Sequence, residues 1–217
     1  MTEPFLILGH RGSPKQFPEN TIPSFDEALR ARADGFETDL RRLADGTAVL
    51  FHDDELVEDE IESLTLAQCT ERGLALPRVG DLGRYAGRAK MMLEVKRAGW
   101  EEAILEIVSA WPDIMVASFD HSVVVSMRKL GAAMPLGIIL SGSIVGIAEY
   151  AQNLGAAWVF PDFHYVDAEM VASLHARGIK VMPWSPNRRR EWDRLRAAGC
   201  DGIITDVPDK AIAWRDG

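Results

Sequence analysis

MVASFDHSVVVSMRKLGAAMPLGIIL, residues 115–140, is the stretch that decides the fold. MVASF and PLGIIL are short, almost wholly apolar runs, and SVVVSMRKLG between them reads as a helix that ends at Gly131. Strands apolar on both faces, joined through a helix, belong to a parallel sheet covered by helices. The same alternation continues outward in both directions. Toward the C-terminus, VGIAEYAQNLG, AEMVASLHARG, REWDRLRAAG and DKAIAW read as helices, separated by the strands WVFP, KVMPWS and GIITD. Toward the N-terminus, Trp100, Ala103, Ile104, Ile107, Val108 and Trp111 make one apolar helix face after the strand MMLEVK. Residues 5–9 form the first strand. A helix capped by Thr21, with Pro23 in its first turn, then repeats Ile22, Phe25, Leu29 and Ala33 and leads to the second strand, GFETDL. The tight-turn signal ADG at 44–46 sends AVLFHDD back as a hairpin extension. Residues 53–78 are less regular, with a short helix in SLTLAQCTERG, and PRVGDLGRYAG reads as a further helix.

Apart from the hairpin, eight strands are expected, at 5–9, 36–40, 91–96, 115–119, 135–140, 158–161, 180–185 and 202–206. Eight βα units in 217 residues fit a closed TIM (β/α)8 barrel, which takes ~200–250 residues as one domain, here 1–217. Neither GxGxxG nor GxxxxGK[ST] follows the first strand, which disfavours dinucleotide-binding and P-loop folds.

Composition is that of a globular chain, 47% hydrophobic and 26% charged. A net charge of -9 argues against nucleic-acid binding, which needs a basic face. It leaves an anionic small molecule open, because a metal or a local basic pair reverses the field in a cleft. Cys69 and Cys200 are far apart and outside any CxxC, as expected of two thiols in a reducing compartment. MTEPFLILGH lacks a basic n-region and its apolar run is short, so neither a signal peptide nor a membrane span is expected there. The expectation is a soluble, cytoplasmic protein.

Chemistry in such barrels sits at the C-terminal ends of the strands. There the sequence places His10 and Arg11, Glu37 and Asp39, Glu94 and Lys96, Ser118, Trp184 and Asp206, with His52 and Asp53 ending the hairpin strand. Residues i and i+2 of a strand share a face, so Glu37 projects with Asp39, and Glu94 with Lys96. Carboxylates about 4 Å apart repel by about 4 kcal/mol at an effective dielectric of 20, so three of them converging call for a cation. Oxygen-only ligands suit Mg²⁺ or Ca²⁺, with Mn²⁺ also able to bind. Arg11 and Lys96 can neutralise the non-bridging oxygens of a phosphodiester. His10 and His52 can serve as an acid–base pair near neutral pH. No Ser–His–Asp or Cys–His arrangement competes.

GHRG, PENT, FETDL, DGTAVLFHD, LEVK, WSPN and DGIITDVPD, in order from residue 9 to about residue 209, resemble the glycerophosphodiester phosphodiesterase family. The resemblance implies a (β/α)8 barrel of the phospholipase-C-like phosphodiesterase type with a short insertion after strand two. It also implies metal-dependent cleavage of glycerophosphodiesters to glycerol 3-phosphate and an alcohol. By resemblance, His10 and His52 are the catalytic pair, and Glu37, Asp39 and Glu94 the ligands of one divalent cation. Arg11 and Lys96 contact phosphate, Glu19 and Asn20 of PENT brace the site, and Trp184 stands at the mouth.

The match departs after the HD motif. Family members often carry an insertion there with an arginine and a threonine- and glycine-rich turn. This chain has DDELVEDEIESLTLAQCTERGLALPRVGDL, with no basic residue between His52 and Arg72. That acidity would favour a cationic head group such as choline or ethanolamine, with Trp184 adding a cation–π contact. WSPN stands where the family more often has WTVN and keeps the tryptophan and the asparagine. His121, His164 and His175 lie off the motifs, with His164 placed to line the mouth. Two other readings are a lysophospholipase-D-like lipid phosphodiesterase and a catalytically silent, diester-binding barrel. The first needs an exposed apolar or basic rim, and none is legible in the sequence. The second would follow from a lost site residue, and every expected one is present.

Overall fold

The computed structural model describes residues 4–56 and 58–217. Eight parallel strands follow one another around a barrel: β1 (Leu6–Gly9), β2 (Gly35–Arg42), β6 (Lys90–Val95), β7 (Ile114–Ser118), β8 (Leu136–Leu140), β9 (Trp158–Pro161), β10 (Lys180–Val181) and β11 (Gly202–Thr205). Three short strands lie in the insertion between β2 and β6: β3 (Ala48–Leu50), β4 (Glu55–Leu56) and β5 (Asp59–Glu60). The helices are α1 (Ile22–Arg30), α2 (Leu66–Glu71), α3 (Glu101–Val108), α4 (His121–Lys129), α5 (Ile147–Leu154), α6 (Ala168–His175), α7 (Arg189–Ala197) and α8 (Pro208–Asp216).

β1 pairs with β11 on one side and with β2 on the other. The seam between β10 and β11 is the loosest point of the barrel. The strand expected over 180–185 forms a ladder only at Lys180–Val181, because Pro183 has no N–H to donate. The Pro183 carbonyl still accepts from Ile204 N at 3.0 Å, and Val181 O accepts from Asp201 N at 2.9 Å. The barrel is thereby nearly closed.

Two apolar layers hold this wall. Leu8, Met92, Met115, Ile139, Phe160, Met182 and Ile204 pack with their neighbours inside the barrel. A larger cluster, including Phe25, Phe36, Val95, Ile104, Val123, Leu174 and Leu195, lies between strands and helices. Burying a side chain of this size contributes about 1.5–3 kcal/mol, so each layer is a large part of the folding free energy.

The insertion differs from expectation in two places. The hairpin ladder ends at Leu50, and β4 pairs with β5 as a small second hairpin within the acidic run. The helix expected in PRVGDLGRYAG is a 3₁₀ helix over Val79–Tyr85, where Gly80 and Gly83 weaken the α-helical alternative. Leu43, Val49, Ile61, Leu64 and Cys69 form a satellite core beneath this segment. Cys69 and Cys200 are both free and buried, and burial pushes the Cys200 thiol up to about 12. Among the described residues, no helix is long and apolar enough to cross a membrane.

Candidate active site

The inward positions of the strands lead upward into the candidate site. Leu8 of the interior cluster is followed two residues later by His10, Met92 by Glu94, Ala117 by Phe119, Met182 by Trp184 and Ile204 by Asp206. Period-two alternation puts each pair on one face, so the apolar filling of the barrel gives way to chemistry at its C-terminal end. A cavity of about 140 Å³ opens there. His10, Arg11, Glu37, His52, Glu94 and Lys96 line one side of it; Met92, Phe119, Ile139, Trp184 and Ile204 line the other.

Register sets the acidic cluster. Glu37 pairs with Met92 and Asp39 with Glu94 across β2 and β6. Ligand oxygens of Glu37, Asp39 and Glu94 lie within 4.8 Å of one another, and all three residues are buried. Two protein cations already face them. Lys96 Nζ lies 2.5 Å from Glu94 Oε1 and 2.9 Å from Asp39 Oδ1. Arg11 Nε is 3.2 Å from Asp39 Oδ2 but is not aligned for a hydrogen bond. Three carboxylates against two cations leave one negative charge over.

That surplus falls on Glu37. Its Oε2 accepts from Arg11 N at 2.9 Å, while its buried Oε1 has no partner. Burial, and then the Asp39 and Glu94 carboxylates, push the Glu37 carboxyl well above its ordinary range. Burial and Asp39 raise Glu94 as well, with Lys96 opposing. Burial also works against Asp39, but Lys96, Arg11 and the Asn20 amide outweigh it and hold that carboxyl low. A buried acceptor left unpaired costs about 1–3 kcal/mol. An orphaned oxygen beside two other hard oxygen donors fits a divalent cation.

PENT supplies the support. Asn20 Nδ2 donates to Asp39 Oδ2 at 2.8 Å, and Asn20 Oδ1 accepts from Thr38 Oγ1 at 2.7 Å. Glu19 Oε1 accepts from Arg11 Nη1 at 2.9 Å. Arg11 and Asn20 both take positive φ, 54° and 56°, which turns the chain sharply below the cluster. Gly12, at φ 90°, packs so closely on Ser24 that a Cβ would clash with it. Arg11 and Lys96, expected as phosphate contacts, are thus engaged with the carboxylates and also border the cavity.

Each histidine of the pair has a carboxylate behind it. His10 Nδ1 is 2.6 Å from Asp206 Oδ1, and His52 Nδ1 is 2.8 Å from Asp53 Oδ1. A carboxylate acceptor places a proton on Nδ1 and leaves Nε2 to face the cavity as the atom that can exchange a proton with a substrate. His10 Nε2 lies 4.0 Å from Glu37 Oε2, on the side of the acidic cluster. Burial disfavours the Asp206 carboxylate, but hydrogen bonds from His10 and Asn187 overcome it and keep Asp206 below its ordinary value. Asn187, the last residue of WSPN, donates to Asp206 Oδ2 at 2.7 Å. Asp206 received no role from the sequence, although its place at the end of the eighth strand marked it.

The acidic run lies elsewhere. Among the described residues, none of 53–78 lines the cavity. Asp54 and Glu62 bond Arg41 at 2.7 and 3.1 Å, and Arg97 lies 3.7 and 3.6 Å from the same two acids. Asp59 takes Arg72 at 2.6 Å. Asp54, Asp59 and Glu62 are thereby engaged with arginines, and Asp53 of the same run bonds His52 at the cavity. Arg41, buried, also donates to the His52 carbonyl at 2.8 Å, a positioning contact that the sequence did not signal. Trp184 Nε1 donates to Phe160 O at 3.1 Å, and its ring meets Phe119 edge-on. His164, expected at the mouth, pairs with Asp162 outside the cavity. His121 bonds Tyr150 and the Ile139 carbonyl, and His175 bonds Asp201.

Comparison with known proteins shows the family and the fold. The family model described as the glycerophosphoryl diester phosphodiesterase family matches residues 10–83 and 85–210. A protein of Caldanaerobacter subterraneus subsp. tengcongensis named glycerophosphodiester phosphodiesterase is 26% identical over 233 residues, which covers 95% of this chain and 96% of that protein. A protein of Mycobacterium tuberculosis named probable glycerophosphodiester phosphodiesterase 1 is 38% identical over 253 residues, covering 96% of this chain and 92% of that one. The structure of an Oleispira antarctica phosphodiesterase, solved in complex with the product sn-glycerol-3-phosphate, matches with a TM-score of 0.85 at 25% identity, over 98% of this chain and 97% of that one.

Proposed function

The chain belongs to the glycerophosphoryl diester phosphodiesterase family, and on that premise we propose that it hydrolyses glycerophosphodiesters to glycerol 3-phosphate and an alcohol. Glu37, Asp39 and Glu94 hold one divalent cation, Mg²⁺, Ca²⁺ or Mn²⁺. His10 and His52 are the acid–base pair. The observation that carries this reading is the buried trio with its orphaned Glu37 oxygen beside two carboxylate-backed histidines, all at one cavity. We take residues 1–217 as one domain. The two buried free thiols support a cytoplasmic setting.

The chain's own groups divide the work. When bound, the cation supplies Lewis-acid polarisation of a non-bridging phosphate oxygen. Arg11 and Lys96 add positive charge at the same oxygens, where negative charge grows as phosphorus is attacked. One histidine Nε2 accepts the proton of the attacking oxygen, and the other donates a proton to the departing alkoxide. Asp206 and Asp53 keep the two rings oriented, and Glu19 and Asn20 hold Arg11 and Asp39 in place. Trp184 and Phe119 form the apolar wall beside the reacting diester.

Release of glycerol 3-phosphate from glycerophosphocholine tests the proposal, first in EDTA and then with each cation added, with His10→Ala in parallel. Expected is cation-dependent release that falls at least ~10²-fold in the variant. Binding without release by the wild type under every cation would support the silent barrel instead.

A further inference from the structure

Beyond Asp53, the acidic run DDELVEDEIE at 53–62 has no part in the chemistry proposed for the site. Its contacts nevertheless lead back to a histidine. His52 lies on irregular chain, since residues 51–53 belong to no helix or strand. The last backbone bond before it runs from Phe51 N to Asp39 O at 3.1 Å. His10, by contrast, directly follows β1, and its own N–H donates to Thr205 O at 2.9 Å. Among the described residues, Arg41 is the only side chain that bonds the His52 backbone. Its Nη2 and Nε both donate to the His52 carbonyl, at 2.8 and 3.3 Å. A planar guanidinium that grips one carbonyl with two donors fixes the direction of that peptide as well as its place.

Arg41 is held in turn by the insertion. It is only 3% exposed, and a buried cation needs counter-charge. Asp54 Oδ1 accepts from its Nη2 at 2.7 Å, and Glu62 Oε1 from its Nη1 at 3.1 Å. The Arg41 hydrogen bond holds the Asp54 carboxyl below its ordinary value. Arg97, three residues beyond Glu94, flanks the same two acids from outside at 3.7 and 3.6 Å. Being half exposed and at that distance, it adds little. The two acids are also fixed relative to each other. Ile61 N donates to Asp54 O at 2.9 Å, and the Ile61 side chain is buried in the satellite core with Val49 and Leu64. A continuous set of contacts therefore runs from that core through Asp54 and Glu62 to Arg41, and from Arg41 to the His52 carbonyl. Arg41 lies two residues after Asp39 on β2, so one strand carries two of the proposed cation ligands and the group that places His52.

We propose that Asp54 and Glu62 are positioning residues for His52, acting through Arg41, so that the acidic insertion braces one histidine of the acid–base pair and takes no part in choosing the alcohol. This rests on the phosphodiesterase reading above, which makes His52 a catalytic residue. Proton transfer demands close geometry, and a misplacement of about 1 Å costs up to ~10²-fold in rate. A brace that acts on a histidine lowers kcat and leaves substrate affinity alone. A head-group pocket would do the reverse, and only for a charged alcohol.

The test uses the full chain, the double variant Asp54→Ala/Glu62→Ala, and Glu55→Gln/Glu60→Gln as the control within the same run. Steady-state rates are measured on glycerophosphocholine and on glycerophosphoglycerol, whose alcohol is uncharged. The alanine pair should lose about tenfold in kcat on both substrates, with KM within about twofold, and the control should match wild type. A loss confined to KM for the choline diester would overturn the proposal in favour of a head-group pocket. The same alanine pair is then placed in an Arg41→Gln background, where it should cost less than about twofold more, because its route to His52 is already cut. Losses that multiply would show that the acids act by another route. Histidine-ring NMR without substrate gives a readout independent of turnover, with the His52 signals assigned by their absence in His52→Ala. Those signals should shift or broaden in the alanine pair and stay unchanged in the control. Unmoved His52 signals would overturn the brace. Only the background comparison needs Arg41→Gln to fold; the other readouts stand on the surface acids. If wild type cleaves neither diester, the phosphodiesterase reading fails, and the ring signals still decide whether the insertion positions His52.

Discussion

Two regions of this chain are rich in acid, and they behave in opposite ways. The run 53–62 is the denser in sequence, yet Asp54, Asp59 and Glu62 of it are met by Arg41, Arg72 and Arg97, and Asp53 by His52. The trio Glu37, Asp39 and Glu94 is spread over two strands, yet it is buried, and one of its oxygens has no partner. A carboxylate in solvent with an arginine beside it contributes little either way. A carboxylate out of water, next to two more, carries an unfavourable charge that only a cation relieves. Burial, rather than the count of acids, marks the candidate site.

The sharpest test of that contrast is Glu37→Gln. It keeps the acceptor for Arg11 N and removes the surplus charge. Cation-supported turnover should fall by about 10³-fold or more. Thermal melting in EDTA should rise above wild type, since the lost charge was unfavourable. A lower melting point would mean that the trio is stable as it stands.

Asp206→Asn comes next. It should cost about 10²-fold in kcat, with the pH–rate profile displaced, because His10 loses the carboxylate that fixes its Nδ1 proton. An unchanged profile would show that His10 is positioned by something else.

Arg41→Ala probes the link between the two acidic regions. The guanidinium donates to the His52 carbonyl and to Asp54 and Glu62, so its loss should destabilise the fold by about 2–3 kcal/mol and lower kcat as His52 loosens. Denaturant unfolding and steady-state rates read the two effects separately.

pH supplies a smaller, graded effect. Glu37 and Glu94 have raised folded pKa values, so between the ordinary glutamate value of about 4.3 and those values the folded state binds more protons than the unfolded. Stability in EDTA should therefore fall as pH rises through that window. Asp39 and Asp206, both lowered, act with the opposite sign below about 3.9, where their contribution is lost as pH falls. Saturating divalent cation should flatten the upper slope, and melting curves from pH 4 to 8 would show it.

The smallest effect belongs to the exposed run. Glu55→Gln with Glu60→Gln should change KM for glycerophosphocholine by less than about twofold, because neither residue lines the cavity. A larger, salt-sensitive change would restore a role for the run in choosing the alcohol.

Residue patterning made much of this legible. Apolar runs separated by helical periodicity predict the eight strands, and i, i+2 spacing puts Glu37 with Asp39 and Glu94 with Lys96. Both follow from local geometry, which a sequence states directly. The contacts that complete the site are remote. His10 meets Asp206 across 196 positions. Arg41 reaches His52 around a hairpin, and the acidic run finds its arginines in three places, within β2, after α2 and after β6.

By itself, then, the sequence determined the alternation, the end of the barrel where the candidate site lies, and the residue types available there. Only the tertiary structure decided which acids are buried, which histidine each carboxylate orients, and which arginines the acidic run meets. The physical reason is that periodicity is a property of neighbours along the chain. Desolvation and charge pairing depend on what the closed barrel brings within a few ångströms.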